Sequence, residues 1–573
     1  MRTLDWFVLV TSLVSIVAYG LYRSRGSDTV DRYLLAGRSM PWYAMALSIM
    51  ATQASAITFI STTGQSYVDG MRFVQFYFGL PIAMVIICAT AVPIFHRAKV
   101  YTAYEYLEKR FDGKTRALAS LIFLCQRGLS AGLTIYAPAL VLSVILGWPE
   151  HLTTFLMGAT VITYTVLGGI KAVTWSDVQQ MCIIFLGLVV SLITVVVLLP
   201  KTVSFSDAVF LAGAAGRLNA VTTTFNWNDR FNIWSGLFGG TFLFLSYFGC
   251  DQSQVQRYLT GRSITQSRLG LLFNAMAKIP MQFFILFIGA MVFVFYLFVQ
   301  PPLLFQHTEL ARIQATGDFP SVSERYLQAF EQRRQATLAM VEAHHQGDRA
   351  AEQRHIAHYH AAQREIDGAR TDAARLVERS GGEQGFSDTN YIFLSFVTRY
   401  LPAGLVGLVI AVIFAATMSA SSGEINSLAT VTVVDLYRRH ISRGRSDHHY
   451  VLASRWATLF WGVYAVVFAG WGKRLGPLIV AVNVVGSLFY GSLLGCFVLA
   501  FGFRRVRGTA TFVGMLAGEA AIFWAFFFTG ISWLWYNVLG CAVVVGTALA
   551  ITYLSPAGGA PAISATESTP QPG

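Results

Sequence analysis

The sequence predicts an all-α, polytopic membrane protein with about thirteen transmembrane helices. Three observations lead there. Of 573 residues, 54% are hydrophobic and 13% charged, whereas a soluble domain carries about 25% charged residues. Mean hydropathy is +0.53. Apolar runs of about 20 residues, each enough to cross a bilayer as a helix, recur along most of the chain. This composition excludes a disordered chain or a nucleic-acid-binding domain, so the net charge of +12 needs another source.

The runs fall at 5–22, 44–66, 73–95, 117–146, 152–170, 178–199, 233–254, 271–299, 402–434, 450–470, 477–502, 509–529 and 531–553. The first lacks a basic leader beyond Arg2 and a small-residue cleavage site, so it reads as a retained span and not a signal peptide. Alternate loops are basic: Arg23 to Arg38, Arg97 to Arg116, Lys171, Arg257 to Arg268, Arg438 to Arg445, and Arg504 to Arg507. Lys473 and Arg474 are the main exception. The positive-inside rule makes that set cytoplasmic, with the N-terminus outside and the C-terminus inside a plasma membrane. Loop topology therefore accounts for the net charge.

One polar stretch interrupts the pattern. Residues 301–386 are Ala-rich and charged, with Leu327, Phe330, Leu338 and Val341, then Ile366, Ala369, Ala373 and Leu376, at helical spacing. The "HQGD" turn at 345–348 predicts a helical hairpin on the outer face. His355, His358 and His360 lack the i, i+4 spacing of a helical metal site and read as a solvated face. Cys88, Cys125, Cys182, Cys250, Cys496 and Cys541 all lie in apolar runs and read as small core residues. The chain then divides into a flanking helix with a cytoplasmic loop (1–43), a five-helix repeat (44–199), an outer loop (200–231), the start of a second repeat (232–300), the insert (301–386), the rest of that repeat (387–503), two flanking helices (504–555) and a disordered tail (556–573).

Polar groups inside spans are expensive and mark function. The second span crowds Thr52, Gln53, Ser55, Thr58, Ser61, Thr62 and Thr63 into its middle, which predicts a broken helix lining an ion or solute path. The seventh is weakened by Gly236, Gly239, Gly240 and Gly249 and ends in Asp251, Gln252, Gln256 and Arg257. Spans two to six and seven to eleven form two groups of five that run in opposite directions. An inverted-repeat secondary transporter breaks one helix in each half in this way. Asp177 opens the sixth span, where a helix dipole would favour it. In "AATMSASSGEINS", Ala416, Ser419, Gly423 and Asn426 or Ser427 share one face. That face suits either close helix packing or neutral oxygen ligands for a monovalent cation.

The motifs "YLLAGRSMPWY", "EYLEKRF", "LGGIKAVTWSDVQQ", "GCDQSQVQRYL", "ATMSASSGEINS" with "DLY", and "GSLLGCF" occur in that order over about 35–530. In this set the chain resembles the sodium/solute symporter family. The resemblance implies a leucine-transporter-type inverted-repeat (5+5) core and sodium-driven uptake by alternating access. It implies a main sodium site from the carbonyls of Ala51, Ala54 and Ala416 with the hydroxyl of Ser419. Ala420 stands where the family usually has a second hydroxyl. Asp177 and Ser422 match a second sodium site or exit path of some relatives, although Gly423 replaces its third ligand. Sugar-transporting relatives place Gln, Glu and Asn where this chain has Thr58, Tyr77 and Phe244. A pocket lysine and a gating tyrosine match Lys278 and Tyr247. With Gln53, these give the solute-site candidates Gln53, Thr58, Tyr77, Tyr247 and Lys278.

The expectation is a sodium-coupled symporter for a small polar or anionic organic solute, in contact with the lipid bilayer, with no nucleic-acid partner and no obligate protein partner evident. Alternatives are a proton-coupled or uncoupled permease of the same fold, or a sugar symporter. A sensor lacks a signalling domain here. A membrane enzyme lacks a catalytic constellation or metal motif.

Overall fold

The computed structural model describes residues 2–23, 29–382, 384–470 and 478–554. The expected tail and the Lys473–Arg474 pair lie outside the described residues. The described chain is built from helices. Among the described residues, ten helical stretches are long and apolar enough to cross a membrane.

Helix α1 (Thr3–Arg23) makes the first pass. The second is split into α2 (Trp42–Gln53) and α3 (Ala56–Asp69). A 3₁₀ stretch, Gly70–Gly79, leads into α4 (Leu80–Ala89) and α5 (Ala91–Ala98). Next come α6 (Gly113–Leu146) and α7 (Glu150–Val197). At 48 residues α7 would span about 72 Å as one rod, more than twice a bilayer core. It turns at Gly169, whose φ of 58° places the backbone where a Cβ would strike the Tyr33 carbonyl and ring. It therefore supplies two passes.

The seventh pass starts with a π-helical turn, Ser235–Gly239, and continues as α8 (Gly240–Gly249). The chain breaks at Cys250 and restarts as α9 (Gln252–Leu259), followed by α10 (Ile264–Phe298). The polar stretch holds α11 (Phe319–Gln346) and α12 (Arg349–Arg379). After α13 (Thr389–Tyr400) come α14 (Leu405–Val431), α15 (Asp447–Ala469), α16 (Leu478–Gly502), α17 (Gly508–Phe528) and α18 (Leu534–Leu554). The two passes of α7, the two in 56–98 and the interrupted seventh raise the ten stretches to the expected thirteen.

Helix α14 is the hub. It packs against α1, α2, α6 and α7 and is buried along nearly its whole length. Outer helices instead expose Val85, Val189, Phe460 and Trp524, the apolar coat that lipid requires. Cys125 and Cys182 lie on this exposed side, so two of the six cysteines are not core residues. The helices that face lipid on one side bring them there.

Helices α11 and α12 form an antiparallel pair around Tyr326, Ala329, Phe330, Ile366, Ala369 and Ala373. The buried face of α11 keeps Phe330 and Val341, as the sequence suggested, but not the two leucines of the stripe. Leu327 and Leu338 are exposed, while Tyr326, Ala329 and Arg333 turn inward. The reason is polar anchoring: Tyr326 donates to the Pro301 carbonyl at 2.9 Å and Arg333 to that of Tyr296 at 2.8 Å. At the hairpin tip His344 stacks on Phe210, and His345 hydrogen-bonds Asp207 at 2.8 Å. Burial pushes the Asp207 carboxyl up, but hydrogen bonds from the Ser204 backbone and the His345 ring outweigh it and hold it below the ordinary range.

Candidate transport site

The two helix breaks fall at 54–55 and 250–251. At the first, the last carbonyls of α2 lose their intrahelical donors, because the Ala54 N–H still reaches Met50 but the next turn restarts with Thr58 N–H on Ser55. The carbonyls of Ala51 and Ala54 belong to this freed set. At the second, Cys250 leaves the helix (φ −125°), and Asp251 caps α9 by accepting from the Ser253 N–H at 2.8 Å.

Beside the first break lies a narrow polar cleft of about 90 Å³, walled on the opposite side by α8. Its wall includes Gln53, Thr58, Tyr77 and Tyr247. The structure thus brings four of the five solute-site candidates together. Tyr247 also accepts from Gln254 at 2.7 Å. The fifth, Lys278, is fully buried but stands outside this wall, with its Nζ 5.5 Å from the Tyr77 ring centre and no hydrogen-bond partner.

The cleft also contains residues the sequence reading did not single out: Gln126, Arg127, Ser130, Thr134, Glu424 and Tyr490. Arg127 ties this group together. It donates to Glu424 Oε1 at 2.9 Å, to Tyr490 at 2.8 Å and to Asp251. Ser130 adds a hydrogen bond to Glu424 Oε1 at 3.2 Å. Asp251 is further held by the hydroxyls of Ser253 at 2.7 Å and Tyr490 at 3.1 Å. A signal for this cluster was present: "CQRGLSAGLT" puts Gln126, Arg127, Ser130 and Thr134 on one side of an apolar span, and an intramembrane arginine is a functional candidate by default.

A second buried cluster sits beside it. Asp177, on α7, accepts from Ser48 at 2.5 Å, from Ser419 at 2.5 Å and from Arg257 Nη1 at 2.7 Å. Arg257 also donates to Ser48. The guanidinium lies against Gly423, where any Cβ would collide with it. So Asp177 and Ser419 meet, as the resemblance implies, but the cation beside them is Arg257. Ser422 turns to its own helix and donates to the Ser419 carbonyl at 3.1 Å.

Ala51, Ala54, Ala416 and Ser419 are all fully buried, and Ala420 lies on the cleft wall. The donor set fits a sodium ion through neutral oxygens. The α2 end offers carbonyls freed from the helix, and the Ser419 hydroxyl gives its proton to Asp177 at 2.5 Å, which leaves its lone pairs available. Ala420 contributes no side-chain oxygen.

A helix broken beside a polar cavity, within an inverted-repeat bundle, defines a secondary transporter. The sequence matches the sodium:solute symporter family over residues 33–309 and 378–518, and the chain belongs to that family. The unmatched segment between them contains most of the α11–α12 pair. A sodium-dependent multivitamin transporter of Oryctolagus cuniculus is 27% identical over 91% of this chain and 70% of its own length. A sodium-coupled monocarboxylate transporter of Homo sapiens is 28% identical, covering 91% and 72%. A sodium/sialic acid symporter of Aliivibrio fischeri is 25% identical, covering 95% and 92%. The solved outward-open structure of a Na⁺-coupled sialic acid symporter superposes with a TM-score of 0.74 at 24% identity, over 97% of this chain and 98% of that one. That likeness confirms the fold.

Proposed function

We propose that this protein takes up a small polar organic solute together with sodium, by alternating access around the cleft beside the first break. The observation that carries the reading is the adjacency of ion and solute groups. Ala420 and Glu424, one turn apart on α14, both line the cleft, while Ser419 lies on the side of the same helix that faces Asp177. Sodium held by the carbonyls of Ala51, Ala54 and Ala416 and the Ser419 hydroxyl would lock α2 to α14. That contact would fix one wall of the cleft, so ion and solute raise each other's affinity reciprocally. Gln53, Thr58, Tyr77 and Tyr247 would meet the solute. Lys278 would support Tyr77. The N-terminus would lie outside and the C-terminus in the cytoplasm, as loop charge indicates, in the plasma membrane.

The test is uptake into proteoliposomes under an inward sodium gradient, compared with potassium on both sides. Sodium-driven accumulation of a polar solute supports the reading, and equal uptake in both buffers overturns it. A proton-coupled permease is the second reading, favoured by the missing oxygen at Ala420. It predicts uptake in potassium that follows an imposed pH gradient.

A further inference from the structure

The charges around the cleft do not balance. Arg127 is the one cation on its described wall, and it faces two buried carboxylates, Asp251 and Glu424, with side chains no more than 7% exposed. Both oxygens of Asp251 are occupied by Arg127, Tyr490 and Ser253. Glu424 is only half satisfied. Its Oε1 receives Arg127 and Ser130, while Oε2 is buried with no hydrogen-bond partner. Thr134 also stands near, but its hydroxyl proton goes to the Ser130 carbonyl at 3.1 Å. Lys278, with its Nζ 5.5 Å from the Tyr77 ring centre, does not line the cleft. A half-paired carboxylate in a low-dielectric site is costly until a positive group meets it.

The rest of the wall indicates which positive group. Phe76, Tyr77 and Phe244 form a cluster with ring centres 4.9, 5.0 and 5.7 Å apart. Aromatic faces attract organic cations by their quadrupole. A bare alkali ion is better served by hard oxygens, and those are gathered at the α2 end.

We propose that Glu424 Oε2 binds a positively charged nitrogen of the transported solute, so that the solute class is cationic or zwitterionic ammonium compounds and not simple carboxylates. The proposal rests on the symporter reading above. Glu424 pairs with the nitrogen on one side, the aromatic cluster covers its alkyl surface, and Arg127 keeps the carboxylate aimed at the cleft. A zwitterion would place its own carboxylate toward the side-chain amide of Gln53 on the same wall.

The experiment is a thermal-shift titration of the purified full chain in potassium buffer, with and without sodium. The probes are tetramethylammonium, choline and glycine betaine against acetate, pyruvate and glucose. The expected result is saturable stabilisation by the ammonium probes, stronger with sodium, and none by the others. Glu424→Gln should weaken the ammonium response by about 30-fold or more while keeping the response to sodium. Stabilisation by acetate or pyruvate without any by the ammonium probes overturns the proposal. So does a Glu424→Gln variant that changes the sodium response and leaves the ammonium response intact, because Glu424 would then be an ion ligand. A protein that responds to sodium but to no ammonium probe sinks this inference alone, while one that responds to neither sodium nor any probe sinks the symporter reading with it. The wild-type comparison stands even if the variant fails to fold.

Discussion

Helix α14 serves two buried polar clusters five residues apart, and they are built differently. On one side Ser419 joins Asp177 and Arg257, where one carboxylate faces one guanidinium. On the other, Glu424 joins Arg127 and Asp251, where two carboxylates share one guanidinium. The first pair is 0–1% exposed and closed by Gly423. The second opens on the cleft. A balanced buried pair of this kind is a strut between helices, whereas the unbalanced one leaves a carboxylate oxygen of Glu424 unpaired.

The largest expected effect comes from removing the shared cation. Arg127→Gln strands two buried carboxylates and should cost about 3–5 kcal/mol of stability, read as a large fall in the detergent unfolding temperature. In the balanced cluster the double variant Asp177→Asn/Arg257→Gln should recover most of what either single change loses. If the double is as unstable as the sum of the singles, the strut interpretation fails.

Ser419→Ala removes one hydrogen bond to a charged group, worth about 1.5–3 kcal/mol, together with the hydroxyl proposed as a sodium ligand. The sodium concentration for half-maximal stabilisation should rise about tenfold or more. An unchanged value contradicts the ligand assignment. The smallest effect belongs to Ala420→Ser. The cleft leaves room at Ala420, and a restored hydroxyl should lower the sodium requirement by a few-fold, on the order of 1 kcal/mol.

The helix breaks were legible in the sequence because they are local: polar residues crowd 52–63, and glycines precede Asp251. The family motifs carried the fold. Charge pairing was not legible, because it joins distant elements. Ser419 and Asp177 lie 242 positions apart, Arg127 and Glu424 297. Helical spacing gave Ser419 one face and left Glu424 unassigned on another. Lys278 shows the same limit. A buried lysine near the solute site could be read from position, but whether it reaches the cleft or stops beside Tyr77 depends on packing. In α11 the hydrophobic stripe was right at Phe330 and Val341 and wrong at Leu327 and Leu338, where Arg333 and Tyr326 turn inward instead to reach carbonyls.

The central claim is that sodium binds where α2 ends against α14, and that Arg257 already supplies the cation at Asp177. Equilibrium binding of radioactive sodium to the purified protein tests it most directly. Saturable binding of a single ion per chain, weakened by Ser419→Ala, is the expected result. Two ions per chain, or no saturable binding, would contradict it.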